Sequence, residues 1–137
     1  METGVGTVNG LNQYKSYQVE TVAPEDQVAM LYEGAQRFID KAAMALESGR
    51  YDEVSENVGK AQRIFAELSG ALNFNAGEIA RNLERLYDYW SWRLSQGLLK
   101  KDVEAFREVS ATVGDMATAW AEAARQLRTQ RGARASG

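Results

Sequence analysis

Apolar residues recur at intervals of three and four along most of the chain, the spacing of an amphipathic α-helix. Pro24 is the only proline, so no strong helix breaker follows it. The apolar pattern is interrupted at a few short polar or glycine-containing stretches. It therefore predicts four helices, which cover about residues 24–48, 52–72, 78–96 and 102–128.

The residues that share one face of each predicted helix are expected to form the core. In chain order they are Val28, Leu31, Tyr32, Ala35, Phe38, Ile39, Ala42, Leu46, Val54, Val58, Ala61, Phe65, Leu68, Leu72, Ile79, Leu83, Leu86, Tyr87, Trp90, Leu94, Val103, Phe106, Val109, Val113, Met116, Trp120, Ala124 and Leu127. Gly49 and Gly97 are predicted to end the first and third helices, because glycine readily adopts the left-handed conformation found there. Asp52 is predicted to be the N-cap of the second helix.

Four amphipathic helices with short connections favour an all-α fold, an antiparallel four-helix bundle. The predicted organisation is a mobile leader over residues 1–23, the bundle over 24–128 and a flexible tail over 129–137. The leader carries an apolar cluster at Leu11, Tyr14 and Tyr17 although it has no helical pattern of its own. We therefore expect this segment to pack on the bundle as a tether.

Composition excludes several classes of function. The 137 residues carry a formal charge of −3, which does not favour binding to nucleic acid. Cysteine and histidine are both absent, so disulfides, thiolate metal sites and imidazole-ligated metals or haem cannot form. We expect no cofactor and no catalytic activity. The N-terminus lacks the pattern of a signal peptide and no apolar run reaches eighteen residues, so we expect a cytoplasmic protein without membrane insertion.

A few residues extend the apolar faces beyond what a core requires. At 100° per residue, Met30 lies well off the core stripe of the first helix, and Gly34 lies on the flank of that stripe. A partner groove would explain both, whereas padding of the bundle edge explains Met30 equally well. Ile64 and Ala71 widen the stripe of the second helix, either as groove or as core. Tyr89 lies at the edge of the stripe of the third helix.

Other surface residues leave two interpretations open. Trp92 projects nearly opposite to the core and is either an interface anchor or an isolated exposed aromatic. The leader tyrosines, Tyr14 and Tyr17, either close one end of the core or take part in partner binding. The arginines at positions 125, 128, 131 and 134 form either a basic patch for an acidic partner or, by compensation of a helix dipole, part of a solvated tail.

Three stretches of the chain resemble the FliS family of flagellar secretion chaperones. They are residues 14–26 followed by Met30-Leu31-Tyr32-Glu33-Gly34-Ala35, then Leu86-Tyr87-Asp88-Tyr89 with Arg93-Leu94, and finally Lys101-Asp102-Val103 with Glu108-Val109. Together they span roughly residues 11–120, which is most of the chain. In the family, the tyrosine that matches Tyr14 is associated with partner binding.

The resemblance implies an export chaperone that binds the C-terminal segment of flagellin in the bacterial cytosol, prevents premature polymerisation and delivers flagellin to the type III export gate. An anti-sigma factor or a co-chaperone are further candidate partners, and the protein is expected to be a monomer or a weak homodimer. The expected flagellin-binding residues are Tyr14, Tyr17, Met30, Leu31, Gly34, Ile64, Ala71 and Tyr89. The alternative is a non-catalytic helical adaptor or dimerisation module for another protein.

Overall fold

The structure, a computed structural model, describes residues 24–136. Within this range the chain forms four long α-helices and one short 3₁₀ turn at Phe74–Ala76. The helices are α1 (Pro24–Glu47), α2 (Tyr51–Gly70), α3 (Glu78–Lys100) and α4 (Val103–Ser136). The predicted packing of the leader and the positions of Tyr14 and Tyr17 lie outside the described residues.

The four helices form an antiparallel bundle, as the pattern predicts. α1 packs between α2 and α4, and α3 completes the ring on the opposite side by contacting α2 and α4. Short connections reverse the chain between consecutive helices, and Gly49 makes the first reversal with a φ of 75°. An ion pair between Glu47 and Arg107 joins the end of α1 to the start of α4, which confirms their antiparallel direction.

The core combines a series of small residues on α1, beside Tyr32 and Ile39, with large residues on α3. α1 buries a series of alanines, and their lack of bulk lets α2 and α4 approach α1 closely. The side chains that fill the space in front of α3 are Tyr87, Trp90 and Leu94, all of them buried. Most of the predicted inward positions are buried or packed against the core cluster.

Two predicted helix ends are wrong. Gly97 does not end the third helix, because α3 continues to Lys100 and Lys101 adopts the left-handed cap conformation instead. Gly97 is buried inside the helix, and a Cβ at this position would lie 2.8 Å from Cε1 of Phe106 in α4. The second helix begins at Tyr51 with Arg50 as its N-cap, so Asp52 is in the first turn and does not cap it.

The fourth helix extends beyond its predicted end, since residues 129–136 continue α4. Two of its arginines form ion pairs with the first turn of α1, Arg128 with Asp26 and Arg131 with Glu25. These two arginines are thus paired with carboxylates of the first helix, a role that the sequence pattern does not suggest. A separate flexible tail stays a prediction.

Two predicted core residues are exposed. Ile79 lies in the first turn of α3 and Leu127 lies beside the first turn of α1, next to Arg128. Both are at the end of the bundle, where fewer helical faces surround a side chain than in the middle. Helical periodicity alone cannot predict how many neighbouring helices surround a side chain.

Candidate partner-binding surface

Five of the predicted binding residues share the seam between α1 and α2. The closest contact joins Gly34 of α1 to Ile64 of α2, since a Cβ at Gly34 would lie 3.5 Å from the Cδ1 atom of Ile64. Met30 is one turn before Gly34 and is 40% exposed, while Leu31 is half-buried against the core. Ala71 is exposed at the C-cap of α2, two turns from Ile64 on the same helical face.

Tyr89 is not part of this group. Its hydroxyl donates a hydrogen bond to Oε2 of Glu108 in α4 at 2.5 Å, which places Tyr89 on the seam between α3 and α4. In the ring of helices that seam lies opposite the one between α1 and α2. The structure therefore brings Met30, Leu31, Gly34, Ile64 and Ala71 to one side of the bundle and leaves Tyr89 on the other.

The surroundings of Tyr89 are polar and charged on one side and aromatic on the other. Arg93 donates from Nε to Oε1 of Glu108 at 2.8 Å, and the ring of Trp92 lies 5.9 Å from that of Tyr89. The bond from Tyr89 and the guanidinium of Arg93 lower the pKa of Glu108, and the same bond to Glu108 raises the pKa of Tyr89. This arrangement ties α3 to α4 and leaves Trp92 exposed, as its position on the helix predicts.

Phe38 is a predicted core residue that packs against the core cluster but is only partly buried. It is half-buried in the seam between α1 and α2, and the ammonium groups of Lys41 and Lys60 lie 5.7 and 5.4 Å from its ring centroid. Lys41 follows Phe38 by three residues on the same helix, and this spacing is the only local signal of the contact. Lys60 comes from α2 and is brought there by the tertiary structure.

The other three seams are joined by polar side chains. Between α1 and α4, the Oγ of Ser110 donates to Oδ1 of Asp40 at 2.5 Å, and Nε2 of Gln36 donates to the carbonyl of Ser110. Between α2 and α3, Nε2 of Gln62 donates to the carbonyl of Ser91 at 2.9 Å. The α3–α4 seam carries the bonds to Glu108.

The seam between α1 and α2 presents a run of apolar side chains at the surface of the bundle. Its exposed and half-buried members are Met30, Leu31, Phe38, Ile64 and Ala71, and we call this set the apolar seam. Apolar side chains of another helix can pack on such a surface without leaving buried polar groups unpaired.

Residues 24–136 show no grouping of three or more acidic side chains that could hold a metal ion. In the same range no helix is both long enough and apolar enough to cross a membrane.

Fold and surface together define an antiparallel helical bundle with an apolar seam between two of its helices. The family model of the flagellar protein FliS matches residues 7–127 of the chain. The chain therefore belongs to the FliS family, which confirms the resemblance seen in its motifs.

Curated relatives support the same assignment over most of their length. The chain is 37% identical over 123 residues to the flagellar secretion chaperone FliS of Bacillus subtilis (strain 168), an alignment covering 88% of this chain and 92% of the relative. It is 33% identical over 120 residues to that of Salmonella typhimurium, covering 83% and 89%. The flagellar secretion chaperone FliSB of Pseudomonas aeruginosa is 29% identical over 118 residues, covering 82% and 94%.

Proposed function

We propose that this chain is a non-catalytic export chaperone that binds the C-terminal helical segment of flagellin in the bacterial cytosol. The chaperone keeps the segment from polymerising and delivers it to the flagellar type III export gate. Membership of a family of flagellar proteins, and relatives named flagellar secretion chaperones, support this function. No cofactor is required, because holding a helix needs only a complementary surface.

The observation that carries the proposal is the apolar seam. A segment that is disordered alone and helical when bound must bury an apolar stripe to offset the entropy lost on ordering. Met30 and Leu31 on α1 and Ile64 on α2 offer such a stripe side by side. Helix-in-groove packing of this kind uses anchors spaced three and four residues apart in the partner.

The two leader tyrosines belong to the same proposal. Tyr14 and Tyr17 contact flagellin directly, or occupy its site until flagellin displaces them. Either role makes their removal change the affinity for flagellin without changing the core of the bundle. An anti-sigma factor and a co-chaperone remain further candidate partners, on the resemblance alone.

The test is calorimetric titration of the full chain with the C-terminal segment of flagellin from the same organism. We expect one-to-one binding with a negative heat-capacity change, the mark of buried apolar surface. Met30→Glu should weaken binding about tenfold or more, because it places an unpaired charge in the interface. Met44→Glu is the matched control, because Met44 is 62% exposed at the other end of α1. The Met44→Glu variant should bind the segment as wild type does.

Tyr14→Ala should also alter the affinity. Failure of the folded wild-type chain to bind the segment would overturn the proposal and favour a helical adaptor for another protein. Binding that is unaffected by Met30→Glu would show that flagellin uses a different surface from the apolar seam.

A further inference from the structure

The apolar seam has a charged end. Two cations lie over Phe38, Lys41 from α1 and Lys60 from α2, and a third, Arg37 of α1, lies one turn nearer to Met30. The guanidinium of Arg37 lies over Gly34, with Nη2 3.7 Å from the position of a Cβ there, and the two ammonium groups lie over the Phe38 ring. Lys41 and Lys60 therefore border the seam from both helices at the level of Phe38.

Two of these three cations lack a carboxylate partner among the described residues. Lys60 forms an ion pair with Glu56 at 3.3 Å, whereas neither Arg37 nor Lys41 pairs with a carboxylate within residues 24–136. This leaves an excess of positive charge at one point on a protein whose net charge is −3. The excess is local, because Glu33 precedes Arg37 by one turn toward the Met30 end of the seam.

We propose that this cationic end of the seam recognises carboxylates that flank the apolar stripe of the bound helix. The inference rests on the proposed function and adds the charge pattern of the cargo to it. The occupant is an amphipathic helix with Asp or Glu beside its apolar stripe at the level of Phe38. Charge on one end of an otherwise apolar groove also sets the direction in which the helix lies, because the reversed helix would bring its carboxylates toward Glu33.

The geometry suits this role. A lysine held over an aromatic ring keeps its ammonium group at the protein surface, while its carbon stem covers apolar area. Lys41 and Lys60 thus project charge at the rim without closing the seam, and Arg37 can leave Gly34 when a helix approaches. The carboxylates would be partly shielded from water by the packed helices, which strengthens their attraction to the rim.

The experiment measures the affinity of the full chain for two synthetic peptides. One is the C-terminal segment of flagellin from the same organism, and the other is that segment with every Asp changed to Asn and every Glu to Gln. The variant protein is Lys41→Gln with Lys60→Gln, which retains most of each side-chain stem. The control is Arg81→Gln with Lys100→Gln, which removes the same charge from exposed positions of α3.

We expect the Lys41/Lys60 variant to bind the natural segment about fivefold or more weakly at low salt, and the control to bind it as wild type. The affinity of wild type for the neutral peptide should be lower than for the natural segment by a similar factor. The Lys41/Lys60 variant should bind the neutral peptide as well as wild type does. Salt should reduce the affinity of wild type for the natural segment and leave the neutral peptide little changed.

Equal affinity of wild type and variant for the natural segment would overturn the charge recognition and leave the proposed function intact, provided that Met30→Glu still weakens binding. Absence of any binding to the folded wild-type chain would overturn both. Circular dichroism of each variant establishes that the bundle is folded.

Discussion

The hydroxyls of Tyr32 and Tyr87 lie 2.5 Å apart, in a hydrogen bond that crosses the diagonal of the bundle from α1 to α3. Both residues are buried, and α1 and α3 are not neighbours in the ring of helices. The rings of Phe65, Trp90 and Trp120 pack around the pair, with centroids 5.2–6.5 Å from one another or from the tyrosine rings. The two hydroxyls share one hydrogen bond inside an aromatic cluster.

Removing one of these hydroxyls should destabilise the bundle more than removing both. Tyr32→Phe leaves the hydroxyl of Tyr87 without this partner in an apolar environment, and we expect a loss of about 1–2 kcal/mol of unfolding free energy. The double variant Tyr32→Phe with Tyr87→Phe should recover part of that loss, because neither hydroxyl of the pair is then buried without the other. Urea unfolding of the four proteins measures the coupling, and additive effects of the single variants would contradict it.

Stability should fall in alkaline solution. Burial raises the pKa of both Tyr32 and Tyr87 above the ordinary value of 10.0. The folded state then holds its phenolic protons more tightly than the unfolded state, so this contribution is fully present below pH 10 and declines as the pH rises further. Unfolding free energies measured between about pH 8 and 11 should fall at the alkaline end. The Phe double variant should show a smaller decline, and an equal decline would assign the effect to other groups.

Gly34→Ala should separate stability from binding. A Cβ there would make only an ordinary contact with Ile64, at 3.5 Å, so alanine should stabilise α1 by about 0.5–1 kcal/mol. The same methyl group would stand in the apolar seam, and we expect weaker binding of the flagellin segment. Thermal unfolding and calorimetric titration measure the two effects.

Gly59→Ala provides the matched control for Gly34→Ala. Gly59 is in the interior of α2 and a Cβ there would meet nothing within 4 Å. Gly59→Ala should stabilise the bundle by a similar amount without changing the affinity for the flagellin segment. A Gly34→Ala protein that binds flagellin as well as Gly59→Ala does would argue against close approach of a partner helix at Gly34.

Gly97→Ala should have the opposite effect on stability. The added Cβ would lie 2.8 Å from Cε1 of Phe106 and 3.0 Å from Cβ of Ala105, so the Phe106 ring or α4 itself must shift. We expect a loss of about 1–3 kcal/mol despite the better helix propensity of alanine. Urea unfolding measures it, and a variant as stable as wild type would mean that the two helices can separate slightly at no cost.

The sequence by itself determined the four helices, the bundle class and most residues of the candidate surface. Helical periodicity is a local property, so the arithmetic of 100° per residue suffices to place Met30, Gly34 and Ile64 outside the centre of their stripes. The family motifs are likewise readable from the chain alone, and the family match confirms them.

Only the tertiary structure decided how those faces meet. Gly97 is required by the approach of Phe106 from another helix, and Tyr89 is held by Glu108 nineteen residues away, which separates it from the apolar seam. The two lysines over Phe38 likewise come from different helices, which the tertiary structure brings together. Such contacts depend on the distance and rotation between packed helices, and these are set by the summed packing of side chains distant in sequence, which no local pattern encodes.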